Sequence, residues 1–392
     1  MKKNQSISRR SFVNNSLKAL ALVPFSGVPL ACFGKSKEQS NNHLSAKKSL
    51  NILILGGSSF LGPHQIAYAM ERGHKITTFT RGKTKPTVHQ NIYDKAEHLI
   101  GDRENNLEAL KGRKWDAVID NSGRKVEWTE ATAELLKEHA DLYIYISSVS
   151  VFYPYYKANV SEGDELVLKV PDDVTGDEKF TYDYGVMKAN SELAAQRIFG
   201  KERTAVVRPT FMAGPADRTN RFLYWPTQLS KGDDLVVPGK EDDPVQYIDV
   251  RDIADWTIRM IENKTTGTYN GVGPKSEMSV TTFAEKAHKA LESKSKIIPI
   301  DDHDFLRENN VLFQAPWVLD SEKFHGISRV NNEHSIANGL TFRPLDKTLV
   351  DTHKWWNSDA VSQERKEKFL NDKNELHNRQ AKLIEKWKAF KM

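Results

Sequence analysis

The sequence predicts an α/β protein, a doubly wound parallel sheet with a smaller C-terminal α/β domain. Three observations predict it. From Leu50 onward, short apolar runs alternate with amphipathic stretches. The first of these runs ends in a glycine-rich turn that opens a helical stretch. After about residue 210 the alternation loosens, although helical spacing persists. A chain of 392 residues is long enough for two domains.

The elements follow in order. Residues 50–55 read as a buried strand, 63–72 as a helix and 75–80 as a second strand. Further strands are expected at 98–100, 117–120, 143–147 and 204–207, with helical patterning at 128–139 and 184–198. An acidic, Pro-containing loop interrupts at 153–181. Helices are expected at 252–262 and 281–291. In 352–392, Trp355, Trp356, Phe369, Leu370, Leu383, Ile384 and Trp387 recur at helical spacing, which predicts a tail packed on the body. A helix reserved for a partner is the alternative. The expected organisation is an export signal and linker at 1–48, a dinucleotide-binding domain at 49–215, substrate-domain elements at 216–350 and a helical tail at 351–392.

The net charge of +5 is unevenly spread. Residues 1–48 hold nine basic groups against Glu38, so the body is mildly acidic at −3. That gives no electrostatic reason to expect nucleic acid. No apolar run in the body reaches membrane-spanning length. Ser8-Arg9-Arg10-Ser11-Phe12-Val13, followed by a mostly apolar stretch at 17–31, resembles a twin-arginine export signal. A basic N-terminal arm is the plainer reading. Cys32, the only cysteine, ends the apolar stretch, and Pro29-Leu30-Ala31-Cys32 resembles a lipoprotein cleavage site. Pro29 and Leu30 depart from the usual pattern, so a lipid anchor at Cys32 and a discarded Cys both stay open. Export would place the protein in the periplasm or on a membrane surface.

The first strand runs into Gly56-Gly57-Ser58-Ser59-Phe60-Leu61-Gly62. Gly56 allows a sharp exit, small residues let backbone approach a pyrophosphate, and Gly62 lets the helix pack close to the sheet. This is the pattern of a Rossmann-type dinucleotide site. An NAD enzyme typically presents an acid at the end of the second strand. Here Thr80 is followed by Arg81, which could pair with a 2′-phosphate. NAD and NADP are both candidates, with NADP favoured. Asp102 is expected on the adenine side and Asn121 in the cofactor cleft.

Tyr184-Gly185-Val186-Met187-Lys188 puts Tyr184 and Lys188 on one helix face. The Lys188 ammonium would favour the Tyr184 phenolate and make it a proton carrier near neutral pH. With 12 Tyr, about one such match arises by chance, and Tyr153–Lys157 is a second. Pro154 argues against a helix there, whereas Tyr184 is expected to open a long one. Ser148, at the end of the preceding strand, would hydrogen-bond the reacting oxygen.

Taken together, these motifs resemble the extended short-chain dehydrogenase/reductase family. Arg208-Pro209, Gly214-Pro215 and Tyr247-Ile248-Asp249-Val250-Arg251-Asp252 are similar to its epimerase/dehydratase branch. The strand ending in Thr80-Arg81-Gly82 looks most like the subgroup of chloroplast stem-loop-binding proteins and bacterial epimerase-like proteins. The resemblance covers about residues 50–270, and the long 149–183 segment departs from it. It implies that Ser148, Tyr184 and Lys188 are catalytic, with Lys188 also on the nicotinamide ribose. It implies a small carbohydrate-like substrate near Arg218, Arg221, Tyr224 and Trp225. A core role for the two aromatics is the alternative. A homo-oligomer and a monomer both stay open.

Sugar dehydratases of this family carry an Asp-Glu pair after the catalytic hydroxyl. Val149 and Ser150 stand there and cannot drive elimination. Export also favours a redox-neutral cycle on a cofactor carried inside the folded protein. The resulting expectation is an NAD(P)-dependent epimerase of a sugar-like carbinol, acting through a transient ketone. A reductase with net turnover and a non-catalytic RNA- or partner-binding scaffold are the alternatives. Asp301-Asp302-His303-Asp304 reads as a solvated helix start, so no metal is expected.

Overall fold

The computed structural model describes residues 48–392. The proposed export signal and Cys32 lie outside the described residues. Strands β1 (Asn51–Leu55), β2 (Lys75–Thr80), β3 (Glu97–Ile100), β4 (Trp115–Asp120), β5 (Ala140–Ile146), β6 (Thr204–Pro209) and β7 (Gly267–Gly271) form one sheet. Their spatial order is β3-β2-β1-β4-β5-β6-β7, and every pair is parallel. The order reverses between β1 and β4. In open sheets of this kind a crevice forms at that point, outside the carboxyl ends.

Helices α1 (Gly62–Glu71), α2 (Val126–Leu136), α3 (Gly176–Phe199) and α4 (Val250–Glu262) wrap the sheet. Side chains alternate along a strand. In β1, Ile52 and Ile54 meet Ile66 and Ala69 of α1 and Ile253 of α4. Leu53 and Leu55 meet Ala133 of α2 and Ala195 and Phe199 of α3 on the other face. Both faces are therefore dry, which is why these strands read as unbroken apolar runs. Each such buried side chain contributes about 1.5–3 kcal/mol before entropy is counted.

Two expectations need correcting. Tyr184 does not open its helix. α3 starts at Gly176, with Asp177 and Glu178 in its first turn, where carboxylates favour a helix N-terminus. Residues 216–350 do not stay together either. Leu235–Pro238 pairs in parallel with Ile297–Ile300, and helices Tyr224–Leu229 and Val280–Ala290 share that second core. Residues 250–271, however, return to the first sheet as α4 and β7.

The tail forms helices Leu345–Asn357, Gln363–Leu370 and Leu376–Phe390. Leu383, Ile384 and Trp387 join the second core. Trp355, Trp356 and Phe369 form a separate cluster with Ala216 and Leu223, against which Phe60 and Val88 pack.

Candidate active site

The glycine-rich turn sits at the carboxyl end of β1. Gly56 has φ +83°, and a Cβ there would lie 2.6 Å from the Ser122 Cβ. A Cβ on Gly62 would lie 2.4 Å from the Gly57 carbonyl oxygen. Only hydrogen fits at either position. Pro63 occupies the first turn of α1, where a missing N–H costs nothing. Ser58 and Leu61 are buried, Phe60 is half-buried and Ser59 is exposed. Arg81 follows β2 and is exposed.

Asn121 follows β4 directly. Its Nδ2 donates to Gln65 Oε1 at 2.6 Å, and its buried Oδ1 has no hydrogen-bond partner among the described residues. The buried Ser147 Oγ, after β5, is likewise unpartnered among them. A narrow glycine cradle flanked by buried polar atoms with spare capacity fits a dinucleotide's phosphates and ribose.

Asp102 is half-buried, and its Oδ1 accepts the Glu104 amide at 3.0 Å, closing a local turn. The neighbouring Arg103 does more. Its guanidinium pairs with the fully buried Asp120 and donates to the Trp128 carbonyl at 2.8 Å and Thr132 Oγ1 at 2.7 Å. Tyr143 donates to Asp120 Oδ2 at 2.7 Å, and the Ser122 amide to Asp120 Oδ1 at 3.1 Å. Burial pushes the Asp120 pKa up, but the Arg103 charge, the hydrogen bonds from Arg103 and Tyr143 and the Lys188 charge together outweigh it and hold the carboxyl below its ordinary value. The network fixes the 120–123 loop beside Gly56. An acid inside an apolar strand was the signal in the sequence, because a buried charge demands a partner.

Lys188 is buried on α3, and its Nζ donates to the Ile146 carbonyl at 2.8 Å. The same ammonium lies 4.8 Å from the centroid of the Tyr145 ring. Burial disfavours this ammonium, but Tyr145, Tyr184 and Asp120 offset the penalty and hold it above the ordinary lysine value. Tyr184, one turn earlier, is half-buried. Ser148 follows β5 in extended backbone, where its Oγ accepts the Ser150 amide at 3.1 Å and donates to Ser150 Oγ at 3.0 Å. The rival pair separates. Tyr153 is buried in an aromatic cluster with Tyr155 and Tyr182, while Lys157 is exposed and paired with Asp164.

The expected substrate residues divide. Arg218 is exposed, and Arg221 is half-buried with its guanidinium 5.4 Å from the Phe211 ring centroid. Tyr224 and Trp225 are 1% and 0% exposed, so they do not contact substrate. The Tyr224 hydroxyl donates to the Val236 carbonyl at 2.8 Å, and Trp225 Nε1 to the Ala315 carbonyl at 2.7 Å. Their polar tips are spent inside the second core. The 301–304 segment caps a helix through Asp302, and His303 bonds Asp243 at 2.7 Å.

Residues 52–272 match the model of the NAD-dependent epimerase/dehydratase family. The chain belongs to that family. This places it among NAD-dependent enzymes. It is 26% identical over 267 residues to the chloroplast stem-loop binding protein of 41 kDa b from Arabidopsis thaliana, covering 64% of this chain and 66% of that one. It is 24% identical over 275 residues to a UDP-N-acetyl-alpha-D-glucosaminuronate decarboxylase of Bacillus cytotoxicus, covering 63% and 82%. Among solved structures, a UDP-N-acetylglucosamine 4-epimerase from Methanobrevibacter ruminantium shares the fold at a TM-score of 0.59 and 16% identity, over 79% of this chain and 98% of that one. The Bordetella bronchiseptica enzyme WbmH, in complex with NAD+, does so at 0.57 and 15%, over 80% and 100%. Among the described residues no helix is long and apolar enough to cross a membrane.

Proposed function

We propose that this family member is an NAD(P)-dependent epimerase of a sugar-like carbinol, exported by the twin-arginine route. The observation that carries the catalytic part is the buried Lys188, one turn from Tyr184 and held on the carbonyl of Ile146, which lies two residues before Ser148. Tyr184 would take the carbinol proton and later return it. Lys188 would stay charged and favour the phenolate. Ser148 would turn its hydroxyl from Ser150 to the ketone oxygen of the transient intermediate. The bound dinucleotide would supply the hydride acceptor and give the hydride back.

Val149 and Ser150 supply no acid–base pair for elimination, which favours epimerisation over dehydration. Arg81, in place of an acid after β2, favours NADP. Arg218 and Arg221 would face an electron-rich substrate. Residues 8–13 and 17–31 support export, and a free sugar or glycoside then suits the compartment better than a nucleotide sugar.

The test is native mass spectrometry of the purified protein, followed by turnover of candidate sugars with cofactor absorbance recorded. A retained NADP or NAD and no net change in its redox state are expected. A protein that binds neither dinucleotide overturns the reading. Accumulating oxidised or reduced cofactor makes it a reductase or dehydrogenase. Salt-sensitive RNA binding, with no turnover for Tyr184→Phe to abolish, makes it a scaffold.

A further inference from the structure

Three loops that bound the dinucleotide cleft are tied together by one C-terminal segment. The first loop follows β2 and begins at Arg81. Trp355 Nε1 donates to Thr87 Oγ1 in it at 3.2 Å, and Val88 packs on the tryptophan cluster. The second is the glycine-rich turn, whose Phe60 packs on the same cluster. The third is the 214–221 loop. Arg365 donates to the Asp217 carbonyl and to Asn220 Oδ1, the latter at 2.6 Å.

Arg365 is also the clasp of the segment itself. Its guanidinium lies 5.1 Å from the Trp355 ring centroid and 5.8 Å from that of Trp356. One cation thus lies within cation–π range of both indoles while bonding the far loop. The segment is anchored to the body by Arg251, which pairs with Asp351 at 2.5 Å, and by Thr348, which donates to Asp249 Oδ2 at 2.7 Å.

A second layer lies beneath. His64 of α1 is buried, with Nε2 3.1 Å from the Pro215 carbonyl and Nδ1 3.2 Å from His89 Nε2. It joins the first and third loops again, from inside. Arg81, Lys83 and Lys85 belong to the first of these loops and Arg218 and Arg221 to the third or its end, so both loops carry cations. An anionic dinucleotide bound at the turn would sit between two loops that cannot separate without breaking the clasp.

We propose that residues 345–370 are a strap that retains the dinucleotide: the cofactor leaves only when the Arg365 and Trp355 contacts release. This rests on the dinucleotide-binding reading of the cleft, not on the reaction assigned to it. A retained cofactor is what a redox-neutral cycle needs, because it is never exchanged between turnovers.

The test measures release of bound NAD(P) from the full-length protein, by native mass spectrometry after isotopically labelled cofactor is added. Arg365→Ala removes two hydrogen bonds and the contact of the cation with the indoles, and should speed release about tenfold or more. Thr87→Val removes only the partner of Trp355 from a partly exposed loop position, and should speed release a few-fold with no change in fold. Arg197→Ala, at an exposed ion pair on the far face of α3, should leave the rate unchanged. If Arg365→Ala melts out, Thr87→Val decides. Cofactor that is bound but leaves all variants at the wild-type rate overturns the strap alone. A wild-type protein that takes up no dinucleotide overturns both the strap and the function beneath it.

Discussion

Lys188 Nζ donates to the carbonyl oxygen of Ile146 at 2.8 Å. Ile146 is the last residue of β5, two positions before Ser148, so this bond sets the helix that carries Tyr184 against the strand end that leads to Ser148. A helix of 24 residues with weak amphipathicity is thereby given one register on the sheet.

Tyr184→Phe should lower turnover by about 10²–10⁴-fold, the usual worth of a positioned acid–base group. Dinucleotide binding should persist, because the phenol oxygen is the only atom lost. Lys188→Met should lower turnover and also weaken the cofactor, because it strips the ammonium and leaves the Ile146 carbonyl buried without its donor. Steady-state rates read beside bound-cofactor mass separate the two. Equal turnover in wild type and Tyr184→Phe would remove Tyr184 from the chemistry.

Gly62→Ala should cost about 1–3 kcal/mol and empty the dinucleotide site. Its Cβ would meet the backbone of Gly57, which cannot turn aside as a side chain could. Thermal melting and cofactor titration check both halves. A variant with wild-type affinity would mean the cradle is not where phosphate binds.

His64 gives the pH dependence a sign. Burial pushes its pKa down to about 4, from about 6.5 in the unfolded chain. The unfolded state therefore binds the proton more tightly. Stability from this residue is complete above about pH 6.5 and is lost as pH falls toward 4, by about 3 kcal/mol at most. Denaturant melts at pH 7.5 and 5 should show a larger acid loss for wild type than for His64→Gln. An identical loss would show that His64 is not the group that titrates.

The sheet was legible because its strands are buried on both faces, so Ile52, Leu53, Ile54 and Leu55 all had to be apolar. The turn was legible because Gly56 and Gly62 are imposed by backbone geometry a few residues away. That Tyr184 and Lys188 share one helix was legible because helical spacing is local. The Arg103–Asp120 network was not, since its partners are 17 residues apart and meet only when the strands align. Tyr224 and Trp225 misled because an aromatic next to basic residues looks the same in sequence whether its ring faces a sugar or the core. The seventh strand was hidden in Gly267–Gly271, whose two glycines and single large apolar side chain carry little strand signal.

That strand has a consequence for how the protein can be divided. The smaller domain leaves after β6, and the chain comes back with α4 and β7 before leaving again. Gln65 of α1 and Thr257 of α4 are bonded at 3.1 Å across that return. A fragment cut at residue 215 would keep Ser148, Tyr184 and Lys188, the proposed catalytic side chains, and still be incomplete. It would bare the apolar face of α1 and the open edge of β6, and would be prone to pair with its own copies. The two domains are thus interleaved along the chain, and neither can be exchanged for a relative's by a single crossover.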